Sequence, residues 1–555
     1  MEPISCLKTA SLRILFVNLP TIPMEDILAC FKSKSVRRQT LSMPLGILYL
    51  SAAAKTSKFV EAVNLIDYVI KVPDAAKYES LDDFILSEAK ANTAHSPNIV
   101  AFSLNFSASY GFFAHCVPLL RRLWPDALFI VGGIHATNTV RHLLQNRNID
   151  FVFRGEGELA IKNFTDRVAQ KQPIAIKGVY SRDSIDLQAS PDLCDIPVYL
   201  DELPFPDWSV IDMEKYAASL GRQRNIHGEK KHASLMTTRG CCFQCTFCST
   251  FSVHGRKVRF RSVLNVVAEI KYLHQNYGIT MFMPEDDLIT VNHDWLLRLM
   301  KELKGLNIPD LELQFPDALS VNTLNETILD ALIEAGMKIC VLAIESGSEH
   351  VQRRVIKKNC DLTKARNLVS YVKSRGIVVR CYYIFGFPGE TIDQMKETLE
   401  FAKSLKADWS VFNIATPLVG SEMYKLCVEA GYIEDAPETW AGTMYDRRVF
   451  DTKEISAKDL NDFVYRANLD CNFIHNPNIV EGNFEKAINI FEDILSKHEF
   501  HIIALYCIAE CYKNLRRETE CRSTYQKIRD LIDKDPRAAK MFEDYGNLMK
   551  SFLPR

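Results

Sequence analysis

The amino-acid sequence predicts an α/β protein in three parts: a doubly wound parallel-sheet domain, a partial (βα)6 barrel and a helical tail. Short β-branched runs alternate with helix-length segments over roughly the first 160 residues. A second alternating series begins near residue 233, and strand-like runs stop after about residue 431. We therefore place the first domain at 1–188, a linker at 189–232, the barrel at 233–430, a connecting segment at 431–475 and the tail at 476–555.

Length and composition indicate an ordinary folded protein of several domains. The chain has 555 residues, of which 47% are apolar and 25% charged, and this is enough for several buried cores. The formal net charge is −2, so no basic excess favours nucleic acid as a partner. The apolar run at 14–19 is too short for a signal sequence or a membrane span. We expect a cytoplasmic protein whose sixteen cysteines are mostly thiols.

Five strand candidates define the first domain. They are near-continuous apolar runs, which are typical of a parallel sheet covered on both faces, and they cover residues 13–18, 62–67, 98–103, 127–131 and 150–154. In open sheets of this kind, ligands bind beyond the carboxyl ends of the strands. The residues that fall there are Asn18, Asp67, Ser103, Gly132, Gly133 and Gly155.

The barrel follows a proline-rich linker. Residues 201–208 contain two prolines and three acidic residues and are predicted to be extended. Beyond the linker, six strand candidates are separated by helix-length segments, which indicates repeated βα units. These candidates are residues 234–237, 280–283, 311–314, 339–344, 378–385 and 411–415.

The tail is predicted to be helical, with a weak repeat of 34 residues. Ala487 and Cys521 are 34 positions apart, as are Phe491 and Tyr525. This is the tetratricopeptide period, but two copies fall short of the roughly three needed for independent stability. We therefore expect tetratricopeptide-like helices that dock on the barrel, with a plain helical hairpin as the alternative.

The strongest chemical signal is a run of three cysteines, Cys241, Cys245 and Cys248, with the spacing C-x3-C-x2-C. At the cysteine frequency of this chain, chance gives such a run on the order of 1% of the time. Three thiolates on one loop can bind an iron–sulfur cluster, which normally takes four, and so leave one iron open. An open metal position is typical of catalytic sites. A zinc site or a redox pair is the alternative, although no fourth zinc ligand is evident nearby.

With Phe247 before the last cysteine, the run resembles the loop that follows the first barrel strand in the radical S-adenosylmethionine (radical SAM) family. The resemblance implies a [4Fe–4S] cluster on Cys241, Cys245 and Cys248. It also implies that S-adenosylmethionine (SAM) binds the fourth iron through its amino and carboxylate groups, and that electron transfer then gives a 5′-deoxyadenosyl radical. These cofactors carry the chemistry, while the protein orients them and excludes water and oxygen.

Polar residues at the ends of later barrel strands extend the resemblance. Glu285 follows the second strand, Glu345 and Ser346 follow the fourth, and residues 386–391 (G-F-P-G-E-T) follow the fifth. Barrel active sites are built at these carboxyl ends. In the family, such groups contact the amino group and ribose of SAM, which implies cofactor binding by Glu285, Glu345 and Ser346. Ordinary turn and capping chemistry is the alternative for each of them.

The first domain resembles the cobalamin-binding domain of the same subgroup. Its motifs stand in the order that the subgroup shows, at residues 44–51 (P-L-G-I-L-Y-L-S), 103, 131–135 (V-G-G-I-H) and 154–158 (R-G-E-G-E). The resemblance implies cobalamin binding by Ser103, Gly132 and Gly133. A serine hydroxyl can bond a ring nitrogen of the nucleotide tail, and glycines permit the close approach of a bulky ligand.

Two motifs are absent from the first domain. No G-x-G-x-x-G follows the first strand, although a doubly wound domain with a Gly-Gly turn could equally hold a nucleotide. The D-x-H-x-x-G segment with which many cobalamin proteins supply a histidine to cobalt is also missing, as it commonly is in the subgroup. His135 is interpreted as a partly exposed loop residue near the site of the nucleotide tail.

Together the two domains resemble the radical methylases that modify unactivated carbon or phosphorus centres. The resemblance implies that one SAM methylates reduced cobalamin and that another supplies the radical that abstracts a substrate hydrogen. The substrate radical then takes the methyl group from methylcobalamin. A radical cyclase or rearrangement enzyme without net methylation is the alternative within the class. A peptide- or protein-binding scaffold with vestigial cofactor sites is the alternative from another class.

The expected partners follow from this interpretation. The substrate is expected to be a small molecule or a peptide, and the electron donor a protein such as flavodoxin or ferredoxin. Neither nucleic acid nor a membrane span is expected. The C-terminal helices offer a surface for a protein partner.

Overall fold

The structure is a computed structural model that describes residues 11–33, 43–186, 190–217, 230–442 and 444–550. The chain divides into two compact units. The first contains the residues up to Asp317 together with Glu334–Gly336 and Thr416–Met444, and the second contains Ala318–Ile333, Met337–Ala415 and the residues from Tyr445 onward. The domain boundaries given above stay predictions. Parts of the predicted first domain (1–10, 34–42, 187–188), linker (189, 218–229) and tail (551–555) lie outside the described residues.

The first unit opens with a sheet of six strands in the order β2-β1-β3-β4-β5-β6. The strands are β1 (Leu12–Asn18), β2 (Val60–Asp67), β3 (Ile99–Ser103), β4 (Leu128–Gly132), β5 (Phe151–Phe153) and β6 (Val179–Tyr180). The five predicted strands are confirmed, and they pair in parallel. β6, which the sequence analysis missed, pairs antiparallel with β5 at the edge.

Both faces of this sheet are buried. Alternate residues of β1 enter two different hydrophobic cores, with Leu15 and Val17 in one core and Ile14 and Phe16 in the other. Burying one such side chain contributes about 1.5–3 kcal/mol. The need to cover both faces explains why the strands are near-continuous apolar runs and why helices flank them on either side.

Helices of the first unit connect and cover these strands. They span Met24–Ser33, Leu45–Lys55, Tyr68–Lys71, Leu81–Ala91, Tyr110–Leu123, Ile134–Asn138, Val140–Leu143, Glu158–Ala169, Met213–Ala217, Phe251–His254, Val263–Tyr277, His293–Gly305, Glu422–Glu429 and Pro437–Ala441.

The described part of the predicted linker packs against the first sheet domain. Asp207 accepts a hydrogen bond from Ser51 Oγ at 2.5 Å and forms an ion pair with Lys55. Its backbone N–H donates to the carbonyl of Leu48, and the neighbouring Trp208 is buried. The segment is therefore fixed to the helix Leu45–Lys55 at both backbone and side-chain level.

The first unit also contains the first three barrel strands. They are β7 (His232–Leu235), β10 (Met281–Pro284) and β11 (Glu312–Leu313), which pair in parallel in the order β11-β10-β7. Between β7 and β10 lies a small antiparallel pair, β8 (Thr238–Arg239) and β9 (Arg259–Phe260). The cysteine run lies in the loop that joins β8 to β9.

The second unit contains the other three barrel strands, β12 (Ile339–Glu345), β13 (Val378–Phe385) and β14 (Trp409–Ile414), paired in parallel in that order. All six predicted barrel strands are therefore confirmed, three in each unit. The helices of this unit span Glu326–Glu334, Leu362–Ser374, Ile392–Leu405, Ala457–Leu469, Pro477–Val480, Phe484–Leu495, Ile502–Asn514, Glu518–Lys534 and Pro536–Tyr545.

The tail and the end of the connecting segment dock on β14, as predicted: Lys486 of the tail forms an ion pair with Asp408, the residue before β14, at 3.0 Å. The side chain of Asn472 accepts a hydrogen bond from the backbone N–H of Ser410 at 2.8 Å and donates one to its carbonyl at 2.6 Å. Phe473 contacts Trp409 of β14 edge-on and stacks on Phe491 of the tail, with ring centroids 5.9 and 5.5 Å apart. The helical nature of the tail is confirmed, and the tetratricopeptide relationship stays a prediction.

Two further properties of the described residues concern their helices and their cysteines. Within this part of the chain, no helix combines the length and the apolar character that crossing a bilayer requires. Its cysteines are thiols rather than disulfides. The cytoplasmic location itself stays a prediction.

Candidate active site

A cavity of about 250 Å³ lies at the carboxyl ends of β3, β4 and β5 in the first unit. Ser103, Gly132 and Gly133, which the sequence analysis assigned to cobalamin, line it together. Ser103 and Gly132 are direct register partners on β3 and β4. The remaining wall is mainly apolar and includes Ile47 and Phe153. The sequence therefore identified three residues that the fold brings to one cavity.

The glycines of this cavity serve two different purposes. Gly133 has a φ of +113°, and an added Cβ would lie 2.6 Å from Asn105 Oδ1, so the tight turn requires glycine. Gly132 has no such conflict, because an added Cβ would approach only Phe153 at 3.6 Å. An added Cβ at Gly46, also on the cavity wall, would meet no atom within 4 Å. These two glycines leave room for a ligand.

The lining of the cavity suits the nucleotide tail of cobalamin in its chemistry. Ser103 Oγ already accepts a hydrogen bond from Asn105 Nδ2 at 3.1 Å, so its own hydrogen can point to a ligand nitrogen. Apolar walls with a few placed polar groups are typical of cofactor sites. The residues present therefore fit the group that the resemblance implies.

His135 is buried, and the interpretation of it as a partly exposed loop residue is wrong. Its Nδ1 lies 3.0 Å from Ser107 Oγ, and its ring packs against Trp440 with centroids 5.1 Å apart. Burial lowers the pKa of His135 to about 3, so the ring is neutral at physiological pH. It is not among the residues that line the cavity, because Trp440 encloses it from a segment some 300 positions later in the chain.

The three cysteines lie on a tight loop. Gly240, with a φ of +97°, turns the chain directly before Cys241, where an added Cβ would lie 2.6 Å from the carbonyl of Lys257. The backbone N–H of Cys241 donates to Gly255 across the base of the loop, and that of Cys248 donates to Cys245, each at 3.3 Å. Cys241, Cys245 and Cys248 are half-buried, whereas the neighbouring Cys242 is exposed.

The three half-buried thiols suit an iron–sulfur cluster, because each can lose its proton when it binds iron. Burial raises the pKa of the Cys241 thiol to about 11, and a bound metal displaces such a proton. Among the described residues, no three His, Cys, Asp or Glu side chains are placed to hold one metal ion directly. A single ion needs its ligands to converge on one point, whereas the thiolates of an iron–sulfur cluster bind different iron atoms.

Acidic residues after β10 accept hydrogen bonds from the residues that lead into the cysteine loop. Glu285 accepts a hydrogen bond from Ser234 Oγ at 2.5 Å. Asp286 accepts from the backbone N–H and hydroxyl of Thr237 at 2.8 and 2.6 Å, and burial raises its pKa to about 6. Asp287 accepts from the backbone N–H of Gly240 at 3.3 Å. Glu285 was predicted, while the two neighbouring aspartates in the same run were missed as anchors of the loop.

Glu345 and Ser346 belong to the second unit, at the end of β12 as expected. Glu345 accepts a hydrogen bond from Lys358 Nζ at 2.6 Å, and its φ of +69° is a strained conformation for glutamate. Such strain is concentrated at functional sites. Ser346 is buried, and its hydroxyl lies 3.0 Å from that of Thr398. The roles of both residues toward SAM stay predictions.

Four charged residues and a histidine meet beside the cavity, and the sequence analysis gave none of them a part in holding the cysteine loop. Arg239 contacts Glu156 and Glu158, each at 2.7 Å, and Glu156 also contacts His254 at 3.0 Å and Arg259. We call this group the carboxylate clamp (Glu156, Glu158, Arg239, His254 and Arg259). Burial alone would raise the pKa of Glu156, but the hydrogen bond from His254 and the charge of Arg239 hold it well below its usual range.

Comparison with known protein families matches both parts of the chain. Residues 235–402 match the family model of the radical SAM superfamily, and residues 37–165 match the model of the B12 binding domain. The two matches contain all three cysteines of the loop and all three predicted residues of the cavity.

The chain is similar to a named methyltransferase, a named cyclase and a solved structure. The chain is 29% identical to the cytidylyl-2-hydroxyethylphosphonate methyltransferase of Streptomyces wedmorensis, over 70% of this chain and 79% of that protein. It is 24% identical to the anaerobic magnesium-protoporphyrin IX monomethyl ester cyclase of Rubrivivax gelatinosus, over 69% and 66%. The structure of the cobalamin-dependent SAM radical enzyme OxsB superposes with a TM-score of 0.62 at 14% identity, over 98% of this chain and 85% of OxsB, and so shares the fold.

The two domains in this order, with the cysteine run intact, define a class of enzyme. The chain belongs to the cobalamin-dependent radical SAM enzymes, whose cofactors are a [4Fe–4S] cluster, SAM and cobalamin.

Proposed function

We propose that the enzyme transfers a methyl group to an unactivated carbon or phosphorus centre of its substrate. The observation that carries this proposal is that the cobalamin-type cavity and the cysteine loop lie in one compact unit, joined by the contacts of Arg239 with Glu156 and Glu158. A methyl-bearing corrin and a radical-generating cluster can act on one substrate only if they are held close together. The phosphonate methyltransferase supports the proposal through its 29% identity over 79% of its own length.

The cofactors supply the radical and the methyl group, and the protein supplies their setting. Cys241, Cys245 and Cys248 would hold the cluster through three thiolates and would leave one iron open for SAM. Asp286 and Asp287 hold the loop that carries them. The apolar wall of the cavity excludes water.

The second candidate is radical cyclisation without net methylation. It is supported by the magnesium-protoporphyrin cyclase, which is 24% identical over 69% of this chain. The two candidates differ in stoichiometry, because methyl transfer releases one S-adenosylhomocysteine for each product and cyclisation releases none. Methyl transfer is favoured because the methyltransferase is the more similar of the two relatives.

The experiment that tests the proposed function begins with protein purified without oxygen. We expect iron and a bound corrin, and conversion of SAM to 5′-deoxyadenosine after reduction with dithionite. Cys241→Ala, Cys245→Ala and Cys248→Ala should each lose the cluster and this conversion. Cys242→Ala, in the exposed neighbouring position, is the matched control and should keep both. Protein that takes up no corrin, or that cleaves SAM after loss of the three cysteines, would contradict the proposal.

We further propose that an acidic electron-donor protein, of the flavodoxin or ferredoxin kind, docks beside the loop in the cytoplasm. An open groove of about 650 Å³ on the first unit is lined by Cys242, Arg256, Lys257, His293 and Asp294. Two fixed positive charges against one negative charge favour an acidic partner. Lys257→Glu should slow reduction by flavodoxin and leave reduction by dithionite unchanged, and the exposed Lys271→Glu is the control. Equal effects on both reductants would contradict the docking site.

The substrate is proposed to be a small molecule or a peptide. The helical tail is a candidate surface for a peptide or protein, because it buries its core residues within the second unit while keeping polar helix faces exposed. Binding of a candidate peptide to the full chain, compared before and after addition of SAM, would separate a substrate from a partner of the tail.

A further inference from the structure

The carboxylate clamp joins two sequence motifs that lie in different parts of the chain. Glu156 and Glu158 follow β5 of the cobalamin-type sheet, whereas Arg239 ends β8, directly before Gly240 and Cys241. Nη1 of Arg239 donates to Glu156 Oε2 and Nη2 donates to Glu158 Oε1, each at 2.7 Å. The planar guanidinium thus uses two nitrogens for two separate carboxylates, a geometry that the point charge of a lysine cannot reproduce.

These contacts are sheltered from solvent. The side chains of Arg239, Glu156 and Glu158 are 4%, 2% and 6% exposed. Surface ion pairs fluctuate and contribute little, but a buried charge that loses its partner stays uncompensated in a medium of low dielectric. The arrangement of these three side chains is therefore strongly determined.

Glu156 also holds the far end of the cysteine loop. Its Oε1 contacts His254 Nδ1 at 3.0 Å and the guanidinium of Arg259. His254 ends the short helix that follows Cys248, and Arg259 is the register partner of Arg239 in the β8–β9 pair. One carboxylate of the sheet domain therefore binds residues on both sides of the loop that carries the cluster ligands.

The clamp is also a wall of the cavity. Glu156, Glu158, Arg239 and His254 line the same space as Ser103 and Gly132. The residues that contact the cysteine loop therefore also border the space that would hold the ligand of the sheet domain.

We propose that the carboxylate clamp sets the distance and orientation between the iron–sulfur cluster and the corrin, with Arg239, Glu156 and Glu158 as positioning residues. The proposal rests on the proposed function, because it needs both cofactors. It assigns to the R-G-E-G-E run a role in the cluster loop in addition to its place in the cobalamin-type domain. Positioning within about 0.5 Å is what such multi-centre sites require.

The test measures the distance between the two metal centres. Protein loaded with cobalamin and reduced holds two paramagnets, the cobalt(II) corrin and the reduced cluster, and pulsed electron paramagnetic resonance reports their dipolar coupling. We expect one narrow distance distribution in the wild type. Arg239→Lys should broaden it by at least about twofold, because a lysine cannot hold both carboxylates in place.

A second variant and a matched control separate positioning from folding. Glu158→Gln keeps an oxygen that can accept from Arg239 but removes its charge, so it should load both cofactors and still broaden the distribution. If Arg239→Lys does not bind both cofactors, the distance distribution of Glu158→Gln decides whether the clamp positions the two metal centres. Arg121→Lys alters a half-buried arginine that contacts Asp150 at 2.7 Å and does not line the cavity. It should change the thermal midpoint without changing the distance distribution.

Each outcome has a defined meaning. A wild-type protein that binds no iron or no corrin overturns the proposed function and the clamp with it. A wild type that binds both, with Glu158→Gln retaining the wild-type distribution, overturns only the positioning role. Broadening of equal size in Arg121→Lys would also overturn it, since any loss of a sheltered arginine would then suffice.

Discussion

Glu156 in the first unit and Glu390 in the second both lie in glycine-containing runs just after a strand, and both are buried. Glu156 is surrounded by two arginines and a histidine and stays ionised. Glu390 accepts hydrogen bonds from the backbone N–H groups of Gly386 and Phe387, and burial raises its pKa to about 8. The two runs look alike in sequence, and partners that are distant in sequence decide which glutamate carries a charge.

The glycines of the two regions differ in the same way. Gly46 and Gly132 border the cavity of the first unit and leave space beside the chain. In the second unit, an added Cβ at Gly386 would collide with the side chain of Leu460. The first region thus keeps room for a ligand, and the second is filled by its own protein atoms.

The largest expected effect comes from removing the charge of Glu156. Glu156→Gln should lower the stability of the first unit by about 3–5 kcal/mol, because Arg239 and Arg259 lose a buried counter-charge. Native-state hydrogen exchange of peptides from the first unit measures the loss. The exposed Glu61→Gln, which removes a surface contact with Arg13, should cost no more than about 1 kcal/mol. Equal losses of stability in the two variants would show that the buried contacts of Glu156 contribute no more than the surface contact of Glu61.

The next effect tests the packing around Glu390. Gly386→Ala should destabilise the second unit by about 1–3 kcal/mol, because the site combines a φ of +80° with contact to Leu460. Gly389→Ala is the matched control, since its φ is +88° but an added Cβ meets no atom within 4 Å. The difference between the two variants measures the packing cost alone, and hydrogen exchange of the second unit reports it. No difference would mean that Leu460 moves aside freely.

The pH dependence of Glu390 is a graded effect that is spread over several pH units. Its pKa in the folded protein is about 8, against an ordinary value of 4.5, so the folded state keeps a proton that the unfolded state releases. Stability should therefore be fully present at low pH and fall as pH rises through this window, by up to about 1.4 kcal/mol per pH unit. Glu390→Gln should flatten that slope. The free energy of unfolding is measured against pH for both proteins. Parallel pH profiles of wild type and variant would contradict the raised pKa of Glu390.

The smallest change in stability should accompany the clearest loss of binding. Gly46→Leu places a side chain in open space on the cavity wall and replaces a helical glycine, so stability should rise by no more than about 1 kcal/mol. Corrin uptake, followed by absorbance of the loaded protein, should be lost because the side chain occupies the cavity. Gly305→Leu, at an exposed helix end with no atom within 4 Å of its added Cβ, should bind corrin normally. Normal uptake by Gly46→Leu would place the ligand elsewhere.

Local patterns predicted most of the fold and the core of the site. Apolar runs located the strands because a sheet covered on both faces needs them, and the cysteine spacing located the loop. β6 was missed because two residues carry no periodic signal. The clamp was missed because Arg239 and Glu156 are 83 positions apart, and nothing in either neighbourhood specifies the other. His135 was misplaced for the same reason, since Trp440 covers it from a distant segment.

The amide of Asn472 has a consequence for how this protein behaves among its own copies. It occupies the donor and acceptor of Ser410 on β14, the outermost strand of its sheet. Unpaired strand edges invite strands from neighbouring molecules and so promote aggregation. Here one asparagine occupies backbone groups of the edge strand at which such pairing would begin.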